Sequence, residues 1–320
     1  MSSPDTAVVV SAAKAKPLTR KPRKNVDKGG GGRTASIFLI PFFALFILTM
    51  IAPVIYSLGL SFFSERSSGL GFGGAETLFV GLENYQHVLG SETFVSGFVR
   101  LGLYCLMYIP LMLGGAIFLA LLLDSVVARA KKTFQVLLFL PHAVPGAIAA
   151  LIWTYLYSPG VSPIVSTLAN GGITIDFFSA ELVLRAMVNI GVWEWTGYNV
   201  IILFTALQAV PRDVLEAAVV DGASQLRTAI SIKLPLIAPA LGVIMLFTTI
   251  ATLQLFTEPQ ILTKATPAVT GTFVPNMWAY DAAFNRQDLN LAAAASIIIA
   301  LLAAVLSFVV TRFSSRSSKG

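Results

Sequence analysis

Six apolar runs, each long enough to cross a bilayer as a helix, constrain this chain more than any other feature. They extend from Ile37 to about Phe63, Leu101 to Leu123, Phe134 to about Tyr157, Leu182 to Val210, Leu234 to Thr257, and Leu291 to Thr311. The hydrocarbon core of a membrane is about 30 Å thick and takes about 20 helical residues to cross. Inside it every backbone N–H and C=O needs a partner within the protein, which a helix supplies by itself. Only the fourth run contains charged residues, Arg185 and Glu194. Hydrophobic residues make up 56% of the chain and charged ones 12%. A soluble domain has about 25% charged residues, so a soluble enzyme is excluded. The expected fold is an all-α integral membrane protein with six transmembrane helices.

The basic residues orient it. Lys14, Lys16, Arg20, Lys21, Arg23, Lys24, Lys28 and Arg33 precede the first run. Arg129, Lys131 and Lys132 follow the second, Arg212, Arg227 and Lys233 follow the fourth, and Arg312, Arg316 and Lys319 follow the sixth. These segments alternate with less basic ones; residues 158–181 contain no Lys or Arg. Lys and Arg accumulate on the cytoplasmic side, so both termini are expected there. Residues 1–36 then form a disordered basic tail, 37–312 the six-helix domain and 313–320 a short cytoplasmic tail. The tail's one apolar stretch, residues 7–10, is too short for a signal-peptide core. Gly29–Gly32 is not followed by Gly-Lys-Ser/Thr, so it reads as a linker and not as a phosphate loop. The basic tail reads as a topology signal near anionic lipid, with no nucleic-acid role. A single cysteine, Cys105, and two histidines, His87 and His142, leave no metal site to build.

Most of the expected cytoplasmic loops are short, but Pro211–Pro235 is long and patterned. Pro211 suits a helix start, and Asp213 and Glu216 are acids in the first turns, where the helix dipole favours them. Val214, Leu215, Ala218 and Val219 recur at helical spacing. Gly222 permits a sharp turn. A second helix runs to about Lys233, and Pro235 restricts the chain before the fifth run. The physics leaves two readings open, a docking element outside the membrane or an amphipathic linker lying on the headgroups.

The residues here have a close likeness elsewhere. Glu216-Ala217-Ala218, Asp221-Gly222-Ala223, Leu234-Pro235 and Pro239 resemble, at matching spacing, the EAA loop of ABC importer permeases. The lead-in Ala206 to Pro211, Gly197-Tyr198-Asn199 upstream and Phe256 to Thr263 downstream resemble the carbohydrate-uptake branch, the maltose and glycerol-3-phosphate permease type. Ala265-Thr266-Pro267 departs from that branch's Gly-Gly-Pro. The resemblance implies a type I importer permease that forms half of a translocation pore. It implies a second, similar permease subunit as partner, two ATPase subunits beneath, and an extracytoplasmic solute-binding protein that delivers substrate. It also implies that ATP and Mg are bound by the partner ATPase and that this chain carries no cofactor and no catalytic residue of its own. The sequence agrees, in that no Gly-x(4)-Gly-Lys-Ser/Thr loop occurs in it. The resemblance gives Glu216, Ala217, Ala218, Asp221, Gly222, Ala223 and Pro235 the task of coupling to the ATPase. Asp221 has an equal alternative, a pair with Arg227 within this chain.

Sugars present apolar CH faces and polar edges, so proteins hold them with aromatic faces and hydrogen-bonding side chains. The fourth run offers Asn189, Trp193, Glu194, Trp195, Tyr198 and Asn199. Tyr198 lies roughly 20 Å above Pro211 at the helical rise. The resemblance places Tyr198 and Asn199, with Phe256, Thr257 and Gln260, near the substrate path. Trp193 and Trp195 are expected in an interfacial aromatic belt. Glu194 is either functional or hydrated near the outer surface. His142, between Pro141 and Pro145, is expected to pack at a kinked helix start. Residues 64–100 form a larger extracytoplasmic loop, glycine-rich around 69–74, followed by Gly81-Leu82-Glu83-Asn84-Tyr85, which also resembles the family. The rival readings are an ion-coupled secondary transporter, an importer permease for a non-sugar solute, and an intramembrane enzyme. The first would need more buried acids, and the last a catalytic pair that the runs do not contain.

Overall fold

The computed structural model describes residues 30–67, 75–125 and 128–317. The expectations for residues 1–29 and for the glycine-rich stretch 68–74 lie outside the described residues. The chain divides into two compact units, 1–53 and 54–320. In the first, α1 (Gly30–Phe46) passes into a π-helical turn, Ile47–Ile51, so residues 30–36, expected as disordered tail and glycine linker, are instead helical. The helical path continues through α2 (Ala52–Leu60), so that Ser36–Leu60 is a 25-residue candidate span.

The described residues are mostly helical, as expected, with one short hairpin added to the helices. After α2, strands β1 (Phe63–Ser67) and β2 (Ala75–Phe79) pair antiparallel, with Phe63 opposite Phe79. These residues lie beyond the apolar run, where a hairpin can expose its edges to water, and aromatic residues close its open end at 5.5 Å between ring centroids. Asn84, on α3 (Glu83–Gly90), fixes the hairpin's base by donating from Nδ2 to the carbonyls of Ser61 (2.9 Å) and Phe63 (2.7 Å).

The second run is one unbroken helix, α4 (Glu92–Asp124), capped by Ser91 Oγ accepting from Phe94 N–H. The third is not. It splits into α5 (Lys131–Phe139), a 3-10 turn (Leu140–Ala143) and α6 (Gly146–Tyr157), and the two arms meet at 92°. The kink expected at Pro141 and Pro145 is therefore a full break. Pro145 pushes Val144 into an extended conformation (φ −80°, ψ 129°), which ends the helical path. Among the described residues the candidate spans thus number five and, with the bent pair counted as one, a sixth.

A short helix α7 (Pro163–Asn170) precedes α8 (Val183–Gln208), the fourth span and the most buried. It packs along α4 and against α5. Gly197 makes the latter contact possible: a Cβ there would overlap the carbonyl of Leu138. The segment between the fourth and fifth spans comprises α9 (Arg212–Val220), α10 (Gln225–Thr228), a π-helical turn (Ala229–Lys233) and α11 (Leu234–Leu236). Its second arm thus runs on past Lys233. Pro235 is tolerated inside it because the wide turn already shifts the hydrogen-bond pattern there, with Leu234 N–H donating to Ala229.

The fifth span, α12 (Ala238–Leu253), breaks at Gln254–Phe256 and resumes as α13 (Thr257–Leu262). The carbonyl of Leu253 at that break accepts from Asn276 Nδ2 at 3.1 Å, on α14 (Pro275–Tyr280). After a π-helical turn, Asp281–Asn285, the sixth span is α15 (Leu289–Ser317). Its alanine face, Ala292, Ala294 and Ala295, packs with Phe94 and Trp278. Small residues let these backbones approach closely, which drives helix association where lipid offers no hydrophobic gain.

Candidate functional site

The coupling segment is closed by its own backbone. Gly222 adopts φ +75° at the end of α9. Ala223 N–H bonds the carbonyl of Ala218 (2.9 Å) and Gly222 N–H that of Val219 (3.0 Å). This is a Schellman closure, in which a glycine turns left-handed and the last carbonyls are satisfied. Ala218 is the one buried residue of α9. Ser224 then caps α10 by accepting from Arg227 N–H at 3.3 Å. Asp221 and Arg227 do not pair; they face each other across a cleft that Ala218, Ala223, Ser231 and Ile232 also line. Of the expected apolar stripe, Ala218 is buried and Leu215 half-buried, whereas Val214 and Val219 are exposed. Glu216 and Ala217 face outward beside them, and Val220 and Leu226 are 86% and 70% exposed.

One joint fastens this segment to the spans. Asp124, the last residue of α4, pairs with Lys233 of the second arm. Its other oxygen, Oδ1, accepts from Gln208 Nε2 at 2.7 Å, at the end of α8. The ends of two spans and the coupling segment therefore share one carboxylate, and both ionic partners are mostly buried, with side chains 11% and 18% exposed.

A cavity of about 440 Å³ opens between α4, α8, α12 and the broken end of the fifth span. Of the five residues expected on the substrate path, Tyr198, Asn199, Phe256 and Thr257 line it, and Gln260 does not. Asn199 is buried and donates from Nδ2 to the carbonyl of Trp195 (2.9 Å) and to Met112 Sδ (3.3 Å). Trp195 belongs to this wall and not to an interfacial belt, and its ring lies 6.0 Å from that of Tyr198. Trp193 instead packs edge-on against Trp153. His142 packs as expected, its ring 4.6 Å from both Trp195 and Tyr198.

Sequence reasoning missed Tyr104, Tyr108, Thr248, Thr252 and Glu258, all of which line the cavity. The signal was present as i,i+4 spacing: Tyr104 with Tyr108 on α4 and Thr248 with Thr252 on α12 each place two polar-tipped residues on one helix face. The two tyrosine rings stack at 5.3 Å. Glu194 does not line the cavity. It is buried against the start of α6, where a Cβ on Gly146 would lie 3.4 Å from its Oε1, and its Oε2 has no partner. The expectation of a hydrated Glu194 near the outer surface is thereby corrected, because the break in the third run folds α6 over it. Among the described residues no cluster of three metal-ligating side chains occurs.

Residues 88–319 match the family described as the binding-protein-dependent transport system inner membrane component. The chain belongs to that family. It is 30% identical over 246 residues to the sn-glycerol-3-phosphate transport system permease protein UgpA of Yersinia pseudotuberculosis, covering 76% of this chain and 83% of that one. It is 31% identical over 245 residues to the UgpA of Salmonella typhimurium, covering 75% and 81%. Its fold is that of a chain of a bacterial ABC transporter involved in the import of the acidic polysaccharide alginate, with a TM-score of 0.75, 21% identity, and coverage of 90% and 97%. The protein is accordingly a multi-pass inner-membrane permease, the transport subunit of an ABC import system that works with a binding protein and a separate ATPase. Family membership displaces the ion-coupled carrier and the intramembrane enzyme.

Proposed function

We propose that this binding-protein-dependent permease forms half of the pathway for a sugar or oligosaccharide and is driven through Pro211–Pro235 by its ATPase. The observation that carries the substrate reading is the cavity itself: aromatic faces from Tyr104, Tyr108, Trp195, Tyr198 and Phe256 beside the amides and hydroxyls of Asn199, Gln254 and Thr257. Aromatic faces meet sugar CH groups, and the polar groups meet hydroxyls. The fifth span's break adds to it, since unwound backbone at membrane depth occurs where it borders a cavity.

The other half of the pathway comes from a second, similar permease, and two ATPase subunits sit beneath the pair. Both termini lie in the cytoplasm, with residues 1–36 and 313–320 as tails and 37–312 as the membrane domain. Glu216 engages a basic group of the ATPase, Ala217 allows close approach, and Ala218, Asp221, Gly222 and Ala223 hold the elbow, with Pro235 at the fifth span. The exposed apolar side chains of Val219, Val220 and Leu226 offer the ATPase a surface to dock on. ATP closes the ATPase pair, the elbow moves with it, and the fourth and fifth spans switch the cavity between the two sides.

Two variants, Glu216→Arg and Gly222→Pro, test the coupling. Both are expected to abolish ATP-dependent sugar uptake in proteoliposomes while the protein still inserts in the membrane. Normal uptake in both would refute the lever.

A further inference from the structure

We infer that this chain's cavity selects an uncharged, polyhydroxylated solute and rejects its phosphorylated or uronic-acid counterpart, because its lining offers an anion no cation. The inference rests on the sugar reading above and goes beyond it, because it excludes anions such as those named for the relatives: a glycerol phosphate and an acidic polysaccharide.

The lining of the cavity carries the argument. It contains no Lys, Arg or His, and its one carboxylic acid is Glu258, in the first turn of α13. An anion moved from water into a largely apolar cleft needs a cation or a set of directed donors to offset its lost hydration. This wall supplies no cation to an anion, whereas the Glu258 carboxyl can accept a hydrogen bond from a neutral hydroxyl. The basic residues nearest in sequence do not alter this. Lys264 is beyond the lining, and Arg100 is occupied elsewhere, its Nη1 donating to the carbonyl of Phe273 at 3.1 Å and its guanidinium lying over that ring at 5.0 Å.

The same wall does suit neutral hydroxyls. Tyr104 and Tyr108 are more than nine-tenths buried, yet neither phenol hydroxyl is hydrogen-bonded among the described residues. Each hydroxyl is both a donor and an acceptor, and a solute hydroxyl can donate to or accept from each of them. Thr257, Gln254 and the Glu258 carboxylate extend the set along the break in the fifth span. The volume, about 440 Å³, is in the range of small-molecule sites.

The test uses the permease in its complete complex, reconstituted in nanodiscs without the binding protein so that the binding protein's own preference does not enter. A Thr257→Cys substitution in a Cys105→Ala background reports occupancy through protection from a maleimide. The probes are glucose against glucose 6-phosphate and glucuronate, and maltose against maltose 1-phosphate, at equal ionic strength. The neutral member of each pair is expected to protect at concentrations at least about tenfold lower than the anion. Adding Glu258→Lys is expected to narrow that gap to about threefold or less, and Glu258→Gln to retain protection by the neutral sugar. Equal or stronger protection by the anions overturns the charge selection while leaving the sugar reading in place. Protection by neither set overturns the sugar reading and the inference with it. ATP-driven uptake in proteoliposomes with the binding protein restored checks the same pairs: transport of an anionic member by the unmodified permease at the neutral sugar's rate would also overturn the selection.

Discussion

The coupling elbow and the cavity are built in opposite ways. The elbow holds itself: the bonds from Ala223 to Ala218 and from Gly222 to Val219 close it within a few residues, and its apolar side chains point outward. The cavity is held by nothing local, since its walls come from α4, α8 and α12 and meet only because the spans pack. A self-closed element moves as a unit, whereas a cavity shared by several spans changes shape whenever one of them shifts. This difference is what a permease needs to turn a push at one end into altered access at the other. Asp124 is the joint between the two, because the ends of α4 and α8 and the second arm of the elbow all bond to it.

Five substitutions would break or sharpen that contrast. The largest effect is expected from Gly197→Val. Its side chain has no room beside the Leu138 carbonyl, and forcing backbone apart in a packed interior costs about 3 kcal/mol. The expected outcome is loss of thermally stable permease after detergent extraction, and unchanged melting would show that α5 and α8 do not meet there. Next comes the joint. Asp124→Asn and Lys233→Met should each lower ATP-dependent uptake about tenfold while ATPase activity persists, and the double variant should lose little more. Such a cycle is expected to give a coupling of about 1–2 kcal/mol. Fully additive losses would remove Asp124 as a joint.

A smaller and different effect is expected in the cavity. Tyr198→Ala removes one aromatic face, worth about 0.5–1.5 kcal/mol, so KM for the sugar should rise about threefold to tenfold with coupling to ATP unchanged. A fall in coupling with KM constant would make Tyr198 part of the lever instead. Gly222→Ala is the mildest. Alanine in the left-handed region costs about 1 kcal/mol, which the Schellman bonds can sustain. Uptake should fall less than about fivefold, against the complete loss expected for Gly222→Pro; equal losses would mean that any Cβ there blocks docking.

Much of the elbow was legible because its determinants are close in sequence. A glycine after a small-residue helix reads as a turn, and Gly222 takes the positive φ that such a turn needs. The apolar stripe was less well read: Val214 and Val219 repeat at helical spacing, but spacing says nothing about whether the face is covered within this chain. In the cavity, Tyr198, Asn199, Phe256 and Thr257 were found by likeness to a family, and Tyr104, Tyr108 and Glu258 were not found at all. Trp195 was assigned to the membrane interface because aromatic residues near a span's end commonly sit there, and the fold of α5 and His142 against α8 is what covers it. The hydrated reading of Glu194 failed for a related reason, since the arm that buries it was not foreseen.

The amino-acid sequence alone determined the membrane class, the six apolar runs and the position of the turn at Gly222. Hydrophobic length, charge placement and glycine's backbone freedom are local properties, and they act whatever the rest of the chain does. Tertiary structure decided the 92° break in the third run, the shared carboxylate of Asp124 and the membership of the cavity. Each of these depends on which helix faces which, and that is settled by side-chain fit between segments far apart in the chain, where the pattern within any one segment carries no instruction.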